Sequence, residues 1–303
     1  MKDFAYKLLC VLVLLCLVVA GCCARKAQSR AGKDWGRCAD RPCFAGLRRG
    51  WAVKPGEDLW WALRAKEFAA SVPGGRAQPV ILQIVSTYDG GRTQFGFGQP
   101  VGYSGSTKDM IFGRGRVDLA RALATYREAG VKAILQVEPG SADVAACLAV
   151  AHAALGKSAC VIGYGVDCEW IDARAHKDGR AVTDAEAKAW LSSVLAWSPS
   201  ATLFLKHWQV SHMPPSYRHE RLWFLNDSQK FRNLPALLRD FAAWGSYFKG
   251  QTVGFQYGYP SDRNWWRRMK QPTVELTAAV LEKIPDAGFV FWVDFTAEQV
   301  TFR

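Results

Sequence analysis

The feature that most constrains this chain is an exchange between short apolar runs and longer stretches of helical spacing, repeated along most of its length. Pro79-Val-Ile-Leu-Gln-Ile-Val-Ser-Thr87 is apolar at most positions, the pattern of a strand covered on both faces. Asp89-Gly-Gly91 ends it as a turn. Val117 to Gly130 then spaces Leu119, Leu123 and Tyr126 as a helix and closes with glycine in the C-cap position. Val131 to Pro139 is a second apolar strand, followed by a helix capped by Ser141 and running to Ala154. A strand from Val161 comes next, then a helix from Thr183 to Leu195 opened by the capping-box pair Thr183 and Glu186. Strands follow at Ala201–Lys206, Arg221–Asn226, Thr252–Tyr257 and Gly288–Asp294. Between them fall helices from Asn233 or Leu234 to Tyr247, with Pro235 at the start, and from Thr273 to Ile284. A closed barrel of this alternation needs one more strand than these. Phe44 to Val53 is the candidate, because Glu57 to Ala70 after it has helical spacing, although its arginines suit a buried strand poorly. The expected fold is a single-domain (β/α)8 TIM-type barrel over residues 35–303.

In such a barrel functional groups collect at the C-terminal ends of the strands. The fourth strand, Val161-Ile-Gly-Tyr-Gly-Val-Asp-Cys-Glu-Trp-Ile-Asp172, runs from apolar residues into acids. Strand alternation puts Gly163, Gly165, Asp167 and Glu169 on one face and Val166, Cys168 and Trp170 on the other. The glycines leave room for a ligand or another backbone, and two acids in a confined site have their pKa values pushed apart, which suits acid/base chemistry. Cys168, on the face away from the acids, reads as packing. Other strand ends supply Asp89, Glu138, Lys206, His207, Asn226, Asp227, Gln229, Gln256, Tyr257 and Asp294, with Trp170, Trp208 and Trp292 among them. Carboxylates beside flat aromatic rings are what a carbohydrate site requires, acids for the glycosidic oxygen and rings for sugar faces.

The Asp167-Cys168-Glu169 end resembles the Asp-x-Glu signature of family 18 glycoside hydrolases, the chitinases and endo-N-acetylglucosaminidases, whose fuller pattern is Asp-Gly-x-Asp-x-Asp-x-Glu. Gly163, Asp167 and Glu169 match it; Ile162 and Gly165 stand where the first two acids would be. A short Asp-x-Glu on a barrel strand also resembles the family 25 lysozymes, and residues 79–295 resemble a family of secreted bacterial and fungal proteins. The family 18 resemblance implies a catalytic acid at the end of the fourth strand and a tryptophan, here Trp292, flooring the sugar site from the eighth. It makes Glu169 the general acid and Asp167 the residue that orients an N-acetyl group or keeps Glu169 protonated, a substrate-assisted route without a protein nucleophile. Asn226 or Tyr257 would bond the oxazolinium, although the family places tyrosine where this chain has Asn226. Glu138, Asp227, Gln256 and Asp294 complete the expected substrate-binding set. The expected activity is hydrolysis of an amino-sugar polymer, peptidoglycan or a chitin-like glycan; the alternative is a carbohydrate-binding barrel that has lost catalysis.

At the N-terminus, Lys2 and Lys7 precede an apolar run from Leu8 to Ala20, too short and wrongly flanked for a spanning helix and read as a signal peptide over residues 1–21. Val19-Ala-Gly-Cys22 resembles a bacterial lipobox, which implies that Cys22 is acylated and that residues 22–34 tether the barrel to a cell membrane or outer membrane, facing an extracytoplasmic space. In that oxidising setting Cys38 can pair with Cys43, and Cys147 with Cys160. The net charge of +12 is scattered and comes with no nucleic-acid-binding motif, so anionic lipid and cell-wall polymers are its expected counterparts and nucleic acid is not. No Cys-x-x-Cys pair or His-x-x-x-His cluster offers zinc-ligand spacing, and neither metal nor cofactor is expected.

Overall fold

The computed structural model describes residues 43–50, 57–75, 77–113, 117–284 and 287–302. The chain divides into Met1–Gly36 and Arg37–Arg303, and all of these residues belong to the second unit. The signal peptide, the Cys22 lipobox, the tether and Cys38 lie outside the described residues.

In chain order the strands are β1 (Phe44–Arg49), β2 (Gln78–Ile84), β3 (Ser86–Asp89), β4 (Arg92–Phe95), β5 (Met110–Phe112), β6 (Lys132–Val137), β7 (Val161–Asp167), β8 (Thr202–Lys206), β9 (Leu222–Asn226), β10 (Val253–Tyr257) and β11 (Ala287–Trp292). The helices are α1 (Asp58–Ser71), α2 (Leu119–Glu128), α3 (Val144–Leu155), α4 (Asp184–Trp197), α5 (Leu234–Tyr247), the single turn α6 (Arg263–Trp266) and α7 (Pro272–Lys283). Strands β1, β2 and β6 to β11 pair in parallel around a closed barrel, with β11 returning to β1 in the register Phe44 to Phe289. The expected barrel is therefore the observed one, with β7 fourth and β11 eighth.

Side-chain alternation divides two cores. Val80, Leu82, Ile134, Phe204, Trp223, Leu225, Phe289 and Phe291 pack together inside the barrel. Ala45, Leu47, Ile81, Leu135, Val166, Leu203, Phe224, Phe255 and Val290 face the other way, into the larger cluster shared with the helices. The arginines of β1 follow the same rule. Arg49 points outward, where it pairs with Asp58 at 2.9 Å and donates to the Tyr126 hydroxyl at 2.6 Å. Arg48 emerges at the mouth and bonds Asp294. Each buried guanidinium has its anion, which is how a basic segment serves as a barrel strand.

Local signals set the helix starts. Asp118 accepts from the Arg121 N–H at 3.1 Å, Asn233 from Ala236 at 3.0 Å, and Thr183 and Glu186 form the expected reciprocal box. Ser141 is not the cap of α3. Asp143 is, accepting from Ala146 at 2.7 Å, because the helix begins only at Val144; the Ser141 hydroxyl donates instead to Asp172 at 3.4 Å. The expected strand from Pro79 to Thr87 breaks after Ile84. Beyond it β3 and β4 form a hairpin through Gly90 and Gly91, both at positive φ, and β5 adds in parallel to β4. Cys147 and Cys160 are both free and buried, and the Cys160 thiol is spent on the Leu123 carbonyl at 3.4 Å, so the expected bridge between them is absent.

Candidate functional site

The fourth strand ends at Asp167, and a 3₁₀ turn over Cys168–Trp170 follows it. Glu169 therefore does not continue the strand's alternation; the turn carries it to the mouth. Cys168 is buried in the outer core, as expected. The two glycines of β7 serve packing rather than a ligand. A methyl group at Gly165 would lie 2.0 Å from the Phe204 ring, and one at Gly163 would lie 2.4 Å from the Thr202 hydroxyl. Trp170 stacks on Tyr88 from the inserted hairpin, with centroids 4.8 Å apart, as an aromatic shelf on the rim.

A hollow of about 370 Å³ opens at this end of the barrel. Five carboxyl groups line it, Glu138, Asp167, Glu169, Asp227 and Asp294, with two cations, Arg48 and Lys206, and with Thr87, Trp170, Tyr259 and Phe295. Lys206, at the end of the fifth barrel strand, sits between two acids, 2.6 Å from Asp167 Oδ2 and 2.9 Å from Asp227 Oδ2. Gln136 donates to the same Asp167 oxygen at 3.3 Å. Asp294 holds Arg48 through one oxygen and accepts the Gly50 N–H at 2.9 Å through the other. Glu138 accepts the Tyr88 N–H at 2.9 Å. The Arg48 guanidinium also lies 4.3 Å above the ring of Phe295, which is exposed.

Too few cations stand among these acids, and the protonation states separate accordingly. Burial raises the Asp167 carboxyl to about 6; Lys206 opposes the rise and Asp227 adds to it. Glu138 rises to about 7 through burial and the charge of Asp167. Glu169 rises furthest, to about 8, through burial and then the charge of Asp167, with Asp227 and Glu138 adding to it. Lys206 is held well above its ordinary value by its two aspartates in spite of its burial. At neutral pH the hollow thus holds a protonated Glu169 beside an ionised Asp167.

Of the expected site residues, Asp167, Glu169, Glu138, Asp227 and Asp294 converge on the hollow. Gln256 lies beneath it, donating to the Tyr259 hydroxyl that does line it. Asn226, Tyr257 and Trp292 do not reach it. They stand on the outer face of the sheet: Asn226 donates to Asp240 of α5 at 3.3 Å, Tyr257 bonds Thr277 of α7 at 2.6 Å, and Trp292 donates to Thr296 at 2.8 Å within the outer core. Trp292 is therefore a packing residue and no floor for a sugar. His207 is structural too, burial lowering it to about 4 while its ring bonds the Asp178 carbonyl and the Gln209 N–H. Arg48, Gly50, Ile84, Thr87, Tyr259 and Phe295 are the lining residues that sequence reasoning passed over. Arg48 alone left a signal, a basic residue at the end of a strand otherwise fit for burial. Among the described residues no three His, Cys, Asp or Glu side chains group as metal ligands would.

Fold and site together define a closed (β/α)8 barrel with an acid-lined hollow at the C-terminal end of its strands. No family model matches the chain, and no curated protein does. Solved structures similar to it include the β-glucuronidase of Parabacteroides merdae, with a TM-score of 0.48 and 10% identity over 84% of this chain and 32% of that one. The β-D-glucuronidase of Dictyoglomus thermophilum gives 0.45 and 10%, over 82% of this chain and 43% of that one. The mannanase catalytic domain of Streptomyces sp. SirexAA-E gives 0.42 and 13%, over 86% and 82%. All three are glycoside hydrolases, and the chain spans about a third of the first glucuronidase and about two fifths of the second.

Proposed function

We propose that the protein is a glycoside hydrolase acting on an amino-sugar polymer, peptidoglycan or a chitin-like glycan, with Glu169 as the general acid. One observation carries this reading: Glu169 and Asp167 line a single hollow in which five carboxyl groups meet two cations, and burial followed by the charge of Asp167 raises the Glu169 carboxyl furthest, so that it is the acid best held protonated. Hydrolysis of a glycosidic bond needs a proton for the leaving oxygen and negative charge facing the sugar carbon as it becomes oxocarbenium-like. Glu169 supplies the first. Asp167 and Asp227, fixed by Lys206, supply the second. Because Asp167 is clasped by Lys206 and Gln136, its proposed part is electrostatic, keeping the Glu169 proton in place, rather than gripping an N-acetyl group. Trp170, braced on Tyr88, offers a face for a sugar ring. The proposal includes acylation of Cys22 and attachment to an extracytoplasmic membrane surface, supported by the lipobox-like Val19–Cys22 alone.

The test is release of reducing ends from such polymers by the wild type and Glu169→Gln. Loss of a general acid costs about 10²- to 10⁴-fold; equal turnover by the two proteins refutes the assignment. A second reading, a barrel that binds sugar without cutting it, is favoured by Ile162 and Gly165 in place of the two further acids of the family 18 pattern. Binding of oligosaccharides with no cleavage on long incubation would select it.

A further inference from the structure

A second cavity stands beside the hollow at the same end of the barrel. Its volume is about 490 Å³, against about 370 Å³ for the hollow, and it is lined from the loops after β6 and β7 and from the inserted segment at Ser106–Asp109. One wall separates the two. Glu138 and Trp170 line the hollow, while Gly140 and Ile171, a step further along the same two loops, line the second cavity. Gly140 and Ile171 pair as a parallel bridge, and the Asp172 N–H donates to the Gly140 carbonyl at 2.8 Å. The Ser141 N–H donates to the Gly91 carbonyl of the inserted hairpin at 2.7 Å, and a methyl group on Gly140 would lie 2.8 Å from that carbonyl. The wall is therefore tied to both of its neighbours. It is also thin, because the chain from Glu138 to Gly140 reaches at most about 7 Å.

The lining indicates what the second cavity takes. Ser106, Lys108 and Ser141 are exposed and Asp109 and Asp172 half-buried, so hydroxyls, an ammonium and carboxylates are all open to a ligand there. Arg180 and Glu186 close one edge as a mutual pair at 2.6 Å. Val144, Ile171 and Trp190 supply apolar surface. An anion entering would meet Asp109 and Asp172, and a cation would meet Lys108. A neutral ligand whose hydroxyls both donate and accept can use every one of these groups. The hollow itself lies near the small end of ligand pockets, which run from about 300 to 1,000 Å³, so a polymer bound at Glu169 must continue outside it. Trp170, braced on Tyr88, stands where a chain would cross, lining the hollow and bonded to Ile171 of the second cavity. Resting on the glycoside hydrolase reading, we infer that the second cavity is a further binding site for the same glycan, taking sugar units beyond those held at the bond to be cut. The preferred ligand is accordingly a long chain rather than a short one.

The test is calorimetry at pH 7 on the full-length Glu169→Gln protein, in which cleavage cannot blur the titration. The probes are β-1,4 oligomers of N-acetylglucosamine from the dimer to the hexamer. The hexamer should bind at least about tenfold more tightly than the dimer, the scale of one or two net hydrogen bonds. A further Ser141→Trp change, which fills the second cavity from an exposed position, should cancel that gain. Lys108→Ala, at an exposed side chain, should reduce it and decides the matter if Ser141→Trp does not fold. A hexamer bound no more tightly than the dimer overturns the inference, as does a gain that survives both changes. Product analysis with the wild type separates it from the parent reading. A gain with length and no cleavage of any oligomer keeps the second site and sinks the hydrolase, whereas cleavage with no gain in affinity keeps the hydrolase and sinks the second site.

Discussion

Glu169→Gln should make the protein more stable as it makes it inactive, and the size of that gain follows from where the side chain sits. A carboxyl group has an ordinary value of 4.5, and in the fold Glu169 is raised to about 8. The folded state therefore holds the proton more tightly than the unfolded chain. The associated stability is fully present below pH 4.5 and is lost as pH rises towards 8. Each pH unit across that window corresponds to about 1.4 kcal/mol, so a wholly enclosed group would cost the fold about 5 kcal/mol at pH 8. Glu169 is only half-buried, and solvent screening reduces the expected cost to about 1–2 kcal/mol. Glutamine has a similar shape and no charge to desolvate. Thermal melts of the two proteins from pH 4 to pH 9 should coincide at pH 4 and separate by about 2–8 °C at pH 8, the variant being the higher. In the same range kcat/KM of the wild type should fall above about pH 8 as Glu169 ionises. Melting curves that stay parallel at every pH, or a variant less stable at pH 8, would refute the raised carboxyl and with it the acid's assignment.

Three further outcomes are expected. Lys206→Met leaves Asp167 and Asp227 buried without their shared cation and should cost about 3–5 kcal/mol at pH 7 by denaturant unfolding. The loss should shrink at pH 5, where Asp167 is already protonated, and an equal loss at both values would count against the bridge. Gly165→Ala drives a methyl group into the Phe204 ring and should cost about 1–3 kcal/mol, so an unchanged Tm would mean that the interior is looser than described. Thr183→Ala removes a capping box and should cost about 1 kcal/mol, whereas Ser141→Ala, away from any cap, should leave the Tm in place.

The barrel was legible because its strands are apolar runs with clear breaks and its helices open on side chains that accept N–H groups, as at Thr183 and Asn233. The same apolarity hid the parity of the strands. In a strand covered on both sides, no polar residue marks which face looks inward. Counting from Leu225 and Phe291, which point into the barrel, places Asp227 at the mouth and turns Asn226 and Trp292 away. Without that origin the neighbours Asn226 and Asp227 are indistinguishable as candidates. Glu169 was found for an incomplete reason, since a turn delivers it where alternation alone was invoked. Tyr259 and Phe295 come from segments beyond the strand ends, and Tyr88 from an inserted hairpin, where spacing carries no information about direction.

Arg48 and Asp294 meet across the join between the first barrel strand and the last. A chain emerging from the ribosome therefore holds Asp167, Glu169 and Lys206 while residues 207–293 are still to be added, before the partner of Arg48 exists. Until the final segment arrives, that guanidinium lacks its anion and the ring of staves has no last member. Assembly of the acid-lined hollow is thus coupled to completion of translation: a product stopped short of Asp294 would carry most of the acids and none of the enclosure that tunes them.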